Sequence, residues 1–225
     1  MNGRELPVSR RVAIGGLAWA AVAQLFVVDS IVAFRWWPSY RLRHDPISAL
    51  GITHCGRIDG VWACSSWHSA SDISWVIAGI CLIVGAWCNV DFFRPTLWRN
   101  AGLFVAAISG AALISTGLNP LNERVDVHLT SAGITIIFGG LGALFLGLAF
   151  HRMGNHRWGT TGVVCGVVSL IAGVATRLEA VRPVQGAFER VAVWPMAAWL
   201  VCTGVAITQA ARKGRIATSR PAPQG

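Results

Sequence analysis

Six apolar runs constrain this chain more than any other feature. They cover about Val12–Phe34, Ile73–Val90, Ala101–Leu118, Leu129–Phe150, Gly159–Ala175 and Val191–Ala211. Each has ~17–23 residues, the length a helix needs to cross ~30 Å of hydrocarbon. In lipid every backbone N–H and C=O must be satisfied within the segment, and runs of this length and spacing do that only as helices. The predicted fold is therefore all-α: a polytopic membrane protein, a bundle of six transmembrane helices over 12–211. Composition agrees, with 54% hydrophobic residues, 13% charged and a mean hydropathy of +0.54. Soluble chains carry about 25% charged residues. A segment 1–11 precedes the bundle, a basic tail 212–225 reads as disordered, and the one long connection is a loop over about 35–72.

The net charge is +9, and 18 of the 19 basic residues are Arg. They lie in short segments between apolar runs, which points to the membrane surface and not to nucleic acid. Placing both termini in the cytoplasm puts 11 Lys/Arg inside and 8 outside, together all 19. That excess sets the orientation and makes the plasma membrane the expected location. Eight of the ten acids and four of the six histidines then fall on the extracytoplasmic side. SRRVAIGG could open a secretory signal, but no small-residue cleavage site stands out and five more spans follow, so an uncleaved first span is expected. No Walker, GxSxG or dinucleotide-binding motif is present.

The stretch CSSWHSASD places His68 and Asp72 four apart, on one face at the mouth of the second span. The same side holds Asp29, His44, Asp45, Ser48, Glu123, His128, Glu179, Glu189 and Arg190. Each has a structural reading as a cap, an interfacial anchor or a buried pair. Taken together they form a candidate polar pocket on the outer face. The candidate catalytic residues are His68, Asp72, His128, Glu123, Asp45 and Glu189. His68 is expected to act as base or metal ligand, Asp72 to orient it or serve as acid, and His128 or Glu123 to complete the site. Burial would raise a carboxyl's pKa and make it a proton donor.

His44, His68 and His128 are also ligand types for a zinc-like metal, although no HExxH or paired CxxC fixes a spacing. His68 and His128 open two spans at similar depth, and two facing histidines can also ligate a haem. Cys55 and Cys64 share the polar loop and can pair if it faces an oxidising compartment. The other four cysteines lie in apolar runs. Gly162 and Gly166 form a GxxxG, read as close helix packing.

The stretches YRLRHDPISALG, CSSWHSASD, NERVDVH and GAFERVAVWP resemble a bacterial six-helix integral membrane family, domain of unknown function 998. The resemblance covers roughly residues 12–210. It points to Asp45, Pro46, Ser48, Cys64, His68, His128, Glu189 and Arg190. Ser66 stands where the family pattern has Pro, and Asp72 where it has a neutral Asn, so Asp72 departs from the family's role. The resemblance implies a fold and a set of positions but no reaction.

Two functions follow from different classes. One is a membrane-embedded enzyme acting on a lipid or isoprenoid-like substrate from the outer leaflet. The other is a non-catalytic protein that binds or moves an apolar or amphipathic small molecule, or scaffolds other membrane components. A haem electron-transfer protein is a third reading. Spans three to five hold no deep polar residue beyond Ser and Thr, which argues against an ion-coupled carrier.

Overall fold

The computed structural model describes residues 8–58 and 61–213. The expected disordered tail lies outside the described residues except for 212–213, and 1–7 of the expected cytoplasmic segment lie outside them too. The described chain has seven helices: α1 (Val8–Ala21), α2 (Gln24–Phe34), α3 (His68–Cys88), α4 (Leu97–Leu118), α5 (Val125–Arg152), α6 (His156–Ala175) and α7 (Gln185–Arg212). Taking α1 and α2 as one span, six segments are long and apolar enough to cross a membrane. The chain is a multi-pass integral membrane protein.

The first span is not one rod. Between α1 and α2 the backbone tightens into i→i−3 hydrogen bonds, Val22 N to Trp19 O and Ala23 N to Ala20 O. Gln24 is anchored just after this break. Its Nε2 donates to Ser74 O at 2.8 Å and its Oε1 accepts from Ser74 Oγ at 2.6 Å. Two other helix starts carry side-chain caps that are plain in the sequence. Thr96 Oγ1 accepts from Arg99 N at 3.1 Å, and Asn155 Oδ1 from Trp158 N at 3.4 Å.

The helices form a closed ring in which α1 touches α3 and α7, and α3 to α7 follow in chain order. Glycines let three pairs approach closely. A Cβ on Gly16 would strike Thr208 and the Gly204 carbonyl, one on Gly79 the Gly110 carbonyl, and one on Gly147 the Gly159 carbonyl. Gly162 and Gly166 do pack closely, against Trp199 and the Gly140 carbonyl respectively.

The two ends of the ring differ. At the end holding both chain termini, Arg11 pairs with Asp91 at 3.3 Å. Beneath it Phe93, Phe150 and Trp199 pack edge to face, with Phe93–Phe150 centroids at 5.1 Å and Phe150–Trp199 at 6.0 Å. The other end is covered by residues 35–58 and 61–67. Here a 3₁₀ turn, Ile47–Gly51, is followed by a hairpin of β1 (Gly56–Ile58) and β2 (Val61–Ala63), antiparallel with Gly56 opposite Ala63. Cys55 and Cys64, flanking the two strands, are disulfide-bonded. A buried serine ties the hairpin's exit to the turn, Ser65 Oγ donating to Leu50 O at 2.6 Å.

Candidate functional site

Beneath this cover the ring encloses a cavity of about 290 Å³. Its deep wall is apolar, from Leu82, Ala106, Ala143, Leu146, Met196 and Leu200. Its roof, towards the loop, is polar: Asp29 from α2, Trp75 from α3, Thr116 from α4, His128 from α5, Glu189 from α7 and Ser48 from the 3₁₀ turn. The volume stands at the lower edge of the ~300–1,000 Å³ of small-molecule sites.

His128 lies a full turn inside α5, because that helix begins at Val125 and not near Leu129. The residue is 0% exposed. Its Nδ1 bonds Asn119 O at 2.8 Å. A carbonyl only accepts, so Nδ1 carries the hydrogen and the neutral ring's lone pair is on Nε2. That atom is buried without a partner among the described residues. The ring packs edge-on to Trp75, centroids 6.1 Å apart. Trp75 Nε1 in turn donates to Asp29 Oδ1 at 3.2 Å, and Ser71 Oγ donates to the same oxygen at 3.4 Å.

Glu189 also stands deeper than the hydropathy pattern places it. The last helix starts at Gln185 and not near Val191, so Glu189 and Arg190 lie on its first turns and not in the connection. Glu189 accepts from Ser48 N at 3.4 Å and from Gln185 Nε2 at 3.2 Å. Among the described residues neither Asp29 nor Glu189 has an ion-pair partner.

Arg190 is turned to the loop. Its Nη1 donates to the carbonyls of Leu42 (2.7 Å), Asp45 (3.1 Å) and Gly186 (2.7 Å), and its Nη2 to Tyr40 Oη at 2.7 Å. Tyr40 Oη passes its own hydrogen to Pro46 O. Burial pushes the Tyr40 phenol above its ordinary value, against the pull of the Arg190 charge. The start of α7 is capped by the same segment, Ala187 N donating to Arg43 O at 3.0 Å and Gly186 N to His44 O at 3.3 Å. A Cβ on Gly186 would strike the Asp45 carbonyl, so this close approach requires glycine.

The remaining candidates hold the cover in place. Asp45 accepts from Arg41 N at 2.6 Å and pairs with Arg41 Nη2 at 3.0 Å, and these contacts hold the Arg41 guanidinium above its ordinary value. Glu123 accepts from Thr53 Oγ1 at 2.6 Å. His68 Nδ1 meets Asp72 Oδ2 at 3.4 Å, the i,i+4 contact that their spacing predicts. The other Asp72 oxygen lies under Gly51 of the 3₁₀ turn. None of these four residues lines the cavity, whereas His128 and Glu189 do.

The three metal-ligand candidates go separate ways. His44 Nδ1 bonds Pro183 O at 2.6 Å, His68 meets Asp72, and His128 faces the cavity. Among the described residues no three His, Cys, Asp or Glu side chains gather as a metal site. Nor do His68 and His128 flank one slot, since only His128 lines the cavity.

The hydroxyls of spans three and four were not among the candidate site residues, yet Ser109, Thr116 and Thr135 line the cavity. His128, Ser131 and Thr135 fall at i, i+3 and i+7 on α5, and Ser109 and Thr116 at i and i+7 on α4. That spacing marks two facing polar stripes and was the available signal. The stripes meet through Thr116 Oγ1 to Ser131 Oγ at 3.0 Å and Ser109 Oγ to Thr135 O at 2.9 Å.

The cavity is open to the outside of the bundle, and residues of α5 and α6 on its lining are exposed. Its lining includes Val174 and Ile137, 64% and 47% exposed on the apolar outer surface. Arg177 stands at this opening, its Nη2 donating to Leu129 O at 3.4 Å across Gly133. The chain matches no family model, no curated protein and no solved structure.

Proposed function

We propose that this membrane protein takes up a lipid-like or isoprenoid-like amphiphile from the bilayer, holding the apolar part within the ring and the polar head under the loop. The observation that carries this reading is the cavity itself, with apolar depth, polar roof and a side opening flanked by lipid-facing residues. Convergent polar groups at one end of an apolar pocket are the usual form of a small-molecule site. The proposal includes the plasma membrane as location, with the loop end extracytoplasmic, as the Lys/Arg distribution favours.

The test is occupancy. Protein purified in mild detergent is extracted and its bound lipids weighed by mass spectrometry, for wild type and for Ala132→Phe, which fills the lining. The expected result is a guest retained by wild type and lost from the variant. Equal occupancy in both, or none in either when binding is assayed with added decanol, sinks the reading.

A second reading, catalysis on the bound molecule, is favoured by His128 Nε2. A general base needs a lone pair within reach of a substrate proton, and this buried one belongs to a residue that lines the cavity together with Asp29 and Glu189. In that reading His128 accepts a proton, while Glu189 and Asp29 supply the acid function that the sequence suggested for Asp72. Turnover of the extracted guest by wild type, and its loss in His128→Gln, would establish it.

The resemblance to the domain of unknown function 998 family belongs to this proposal too. Of the positions it marks, Ser48, His128 and Glu189 line the cavity, Asp45, Pro46, Cys64 and Arg190 fasten the cover, and His68 meets Asp72 beneath it.

A further inference from the structure

We propose that the head group received under the loop is a cationic hydrogen-bond donor, an ammonium, and that the site turns carboxylates away. This rests on the amphiphile reading above and names the chemistry of its ligand. The roof of the cavity offers acceptors and few donors. Ser109, Thr116 and Thr135 already donate their hydroxyl hydrogens to oxygens within the bundle. Trp75 Nε1 is committed to Asp29. On the carboxyl groups and the imidazole what remains open is acceptor capacity.

Three groups supply it. His128 lines the cavity, and its Nε2 is fully buried and without a partner among the described residues. Both hydrogen bonds to Asp29 fall on Oδ1. Glu189 receives hydrogen bonds from Ser48 N at 3.4 Å and Gln185 Nε2 at 3.2 Å, with the Ile47 backbone also against it, and a carboxylate's two oxygens hold about four lone-pair sites. A carboxylate removed from water without a cation is costly, and a bound ammonium relieves that cost with charge-assisted hydrogen bonds.

Arg190 is turned away from the cavity, whose lining does not include it. Its Nη atoms are held by three carbonyls and the Tyr40 oxygen, with the guanidinium carbon 5.2 Å from the Tyr40 ring centroid, while its buried Nε has no partner among the described residues. Arg177 is at the side opening, bonded to Leu129 O. Ser48 and Gln185 supply the roof's remaining polarity, and a hydroxyl or an amide suits an ammonium as well as any other head. An incoming carboxylate would face two carboxyl groups and an imidazole lone pair.

The experiment uses three probes of equal chain length, decylamine, decanol and decanoate, at a pH where the amine is charged and the acid ionised. Binding to the full chain in nanodiscs of zwitterionic lipid is followed by native mass spectrometry. Decylamine is expected to bind at least about tenfold tighter than decanoate, with decanol between them. Asp29→Asn and Glu189→Gln, each of nearly unchanged shape, are expected to remove most of the amine's advantage while leaving decanol binding in place. Thermal unfolding confirms that the variants are folded, and His128→Gln serves as a third variant if either carboxamide fails to fold. Decanoate binding as tightly as decylamine, or an amine advantage unchanged in the folded variants, overturns the ammonium assignment alone. Failure of all three probes to bind wild type overturns the amphiphile reading and this inference together.

Discussion

The end of the bundle that holds the termini and the end under the loop are built from the same six spans by opposite means. The first is filled. Phe93, Phe150 and Trp199 close it by aromatic packing, and the Arg11–Asp91 ion pair stands partly exposed at the edge. The second is hollow. It places Asp29, His128 and Glu189 around empty volume and relies on a separate stretch of chain to cover them. Packing stabilises the first end on its own. The second depends on Arg190, the Cys55–Cys64 disulfide and the 3₁₀ turn, which makes it the end where binding can replace missing contacts.

The largest test of this contrast removes packing from the filled end. Phe150→Ala is expected to cost about 3–5 kcal/mol, as buried aromatic truncations do. Leu113→Ala, at the cavity wall, should fall at the low end of about 2–5 kcal/mol because that side chain already lacks neighbours on one side. Thermal denaturation in one detergent ranks the two, and equal losses would show that the cavity collapses in solution.

Arg190→Met comes next. It leaves the loop carbonyls of Leu42 and Asp45 without their donor, at about 1–3 kcal/mol for each that stays dry. Arg41→Ala breaks an exposed pair and should cost about 0–1 kcal/mol. Hydrogen exchange over residues 40–50 reads both, and protection unchanged in Arg190→Met would remove this residue from the account of the cover.

Reduction of Cys55–Cys64 opens a short ring, and disulfides contribute typically about 2–4 kcal/mol with less for short loops. The loss is expected as faster exchange in 50–67 with the helices unchanged.

The cover also carries a pH signature. The folded Tyr40 phenol lies above its ordinary value of 10.0, so the folded state holds this proton more tightly than the unfolded chain does. Its contribution is complete below pH 10.0 and declines as pH rises above it. Tyr40→Phe should flatten that alkaline limb, and an identical alkaline profile in the variant would contradict the assignment.

The smallest expected effect is Gly142→Ala. An added Cβ there meets Ala106 at 3.5 Å, an ordinary contact, and alanine gains up to about 1 kcal/mol of helix propensity. Gly79→Ala, against the Gly110 carbonyl, should instead destabilise. A matched response at the two sites would mean that the α3–α4 approach yields freely.

Much of this was legible in the sequence. Length and hydropathy marked six spans because lipid leaves the backbone few choices. Asp29 was visible as an acid within a span, and the loop cysteines as a pair. Depth and azimuth were less legible. The helices of His68 and His128 both begin earlier than their hydropathy suggests, but His68 is the first residue of α3 and His128 the fourth of α5, which carries His128 inward while His68 stays under the loop. Glu189 and Arg190 lower the hydropathy at the start of α7, although carbonyls of residues 43–44 cap the helix there. The break between α1 and α2 has no polar or glycine signal except Gln24, whose partner lies 50 residues away at Ser74.

The ring closes through the seam of Gly16 and Gly204, so the first helix meets its last neighbour only after the rest of the bundle has been made. During synthesis α1 therefore waits in the lipid with its glycine face uncovered. The order of insertion is fixed by the ribosome but the order of completion is not, and assembly cannot finish until α7 arrives. A chain halted before residue 204 would hold most of the wall and no seal.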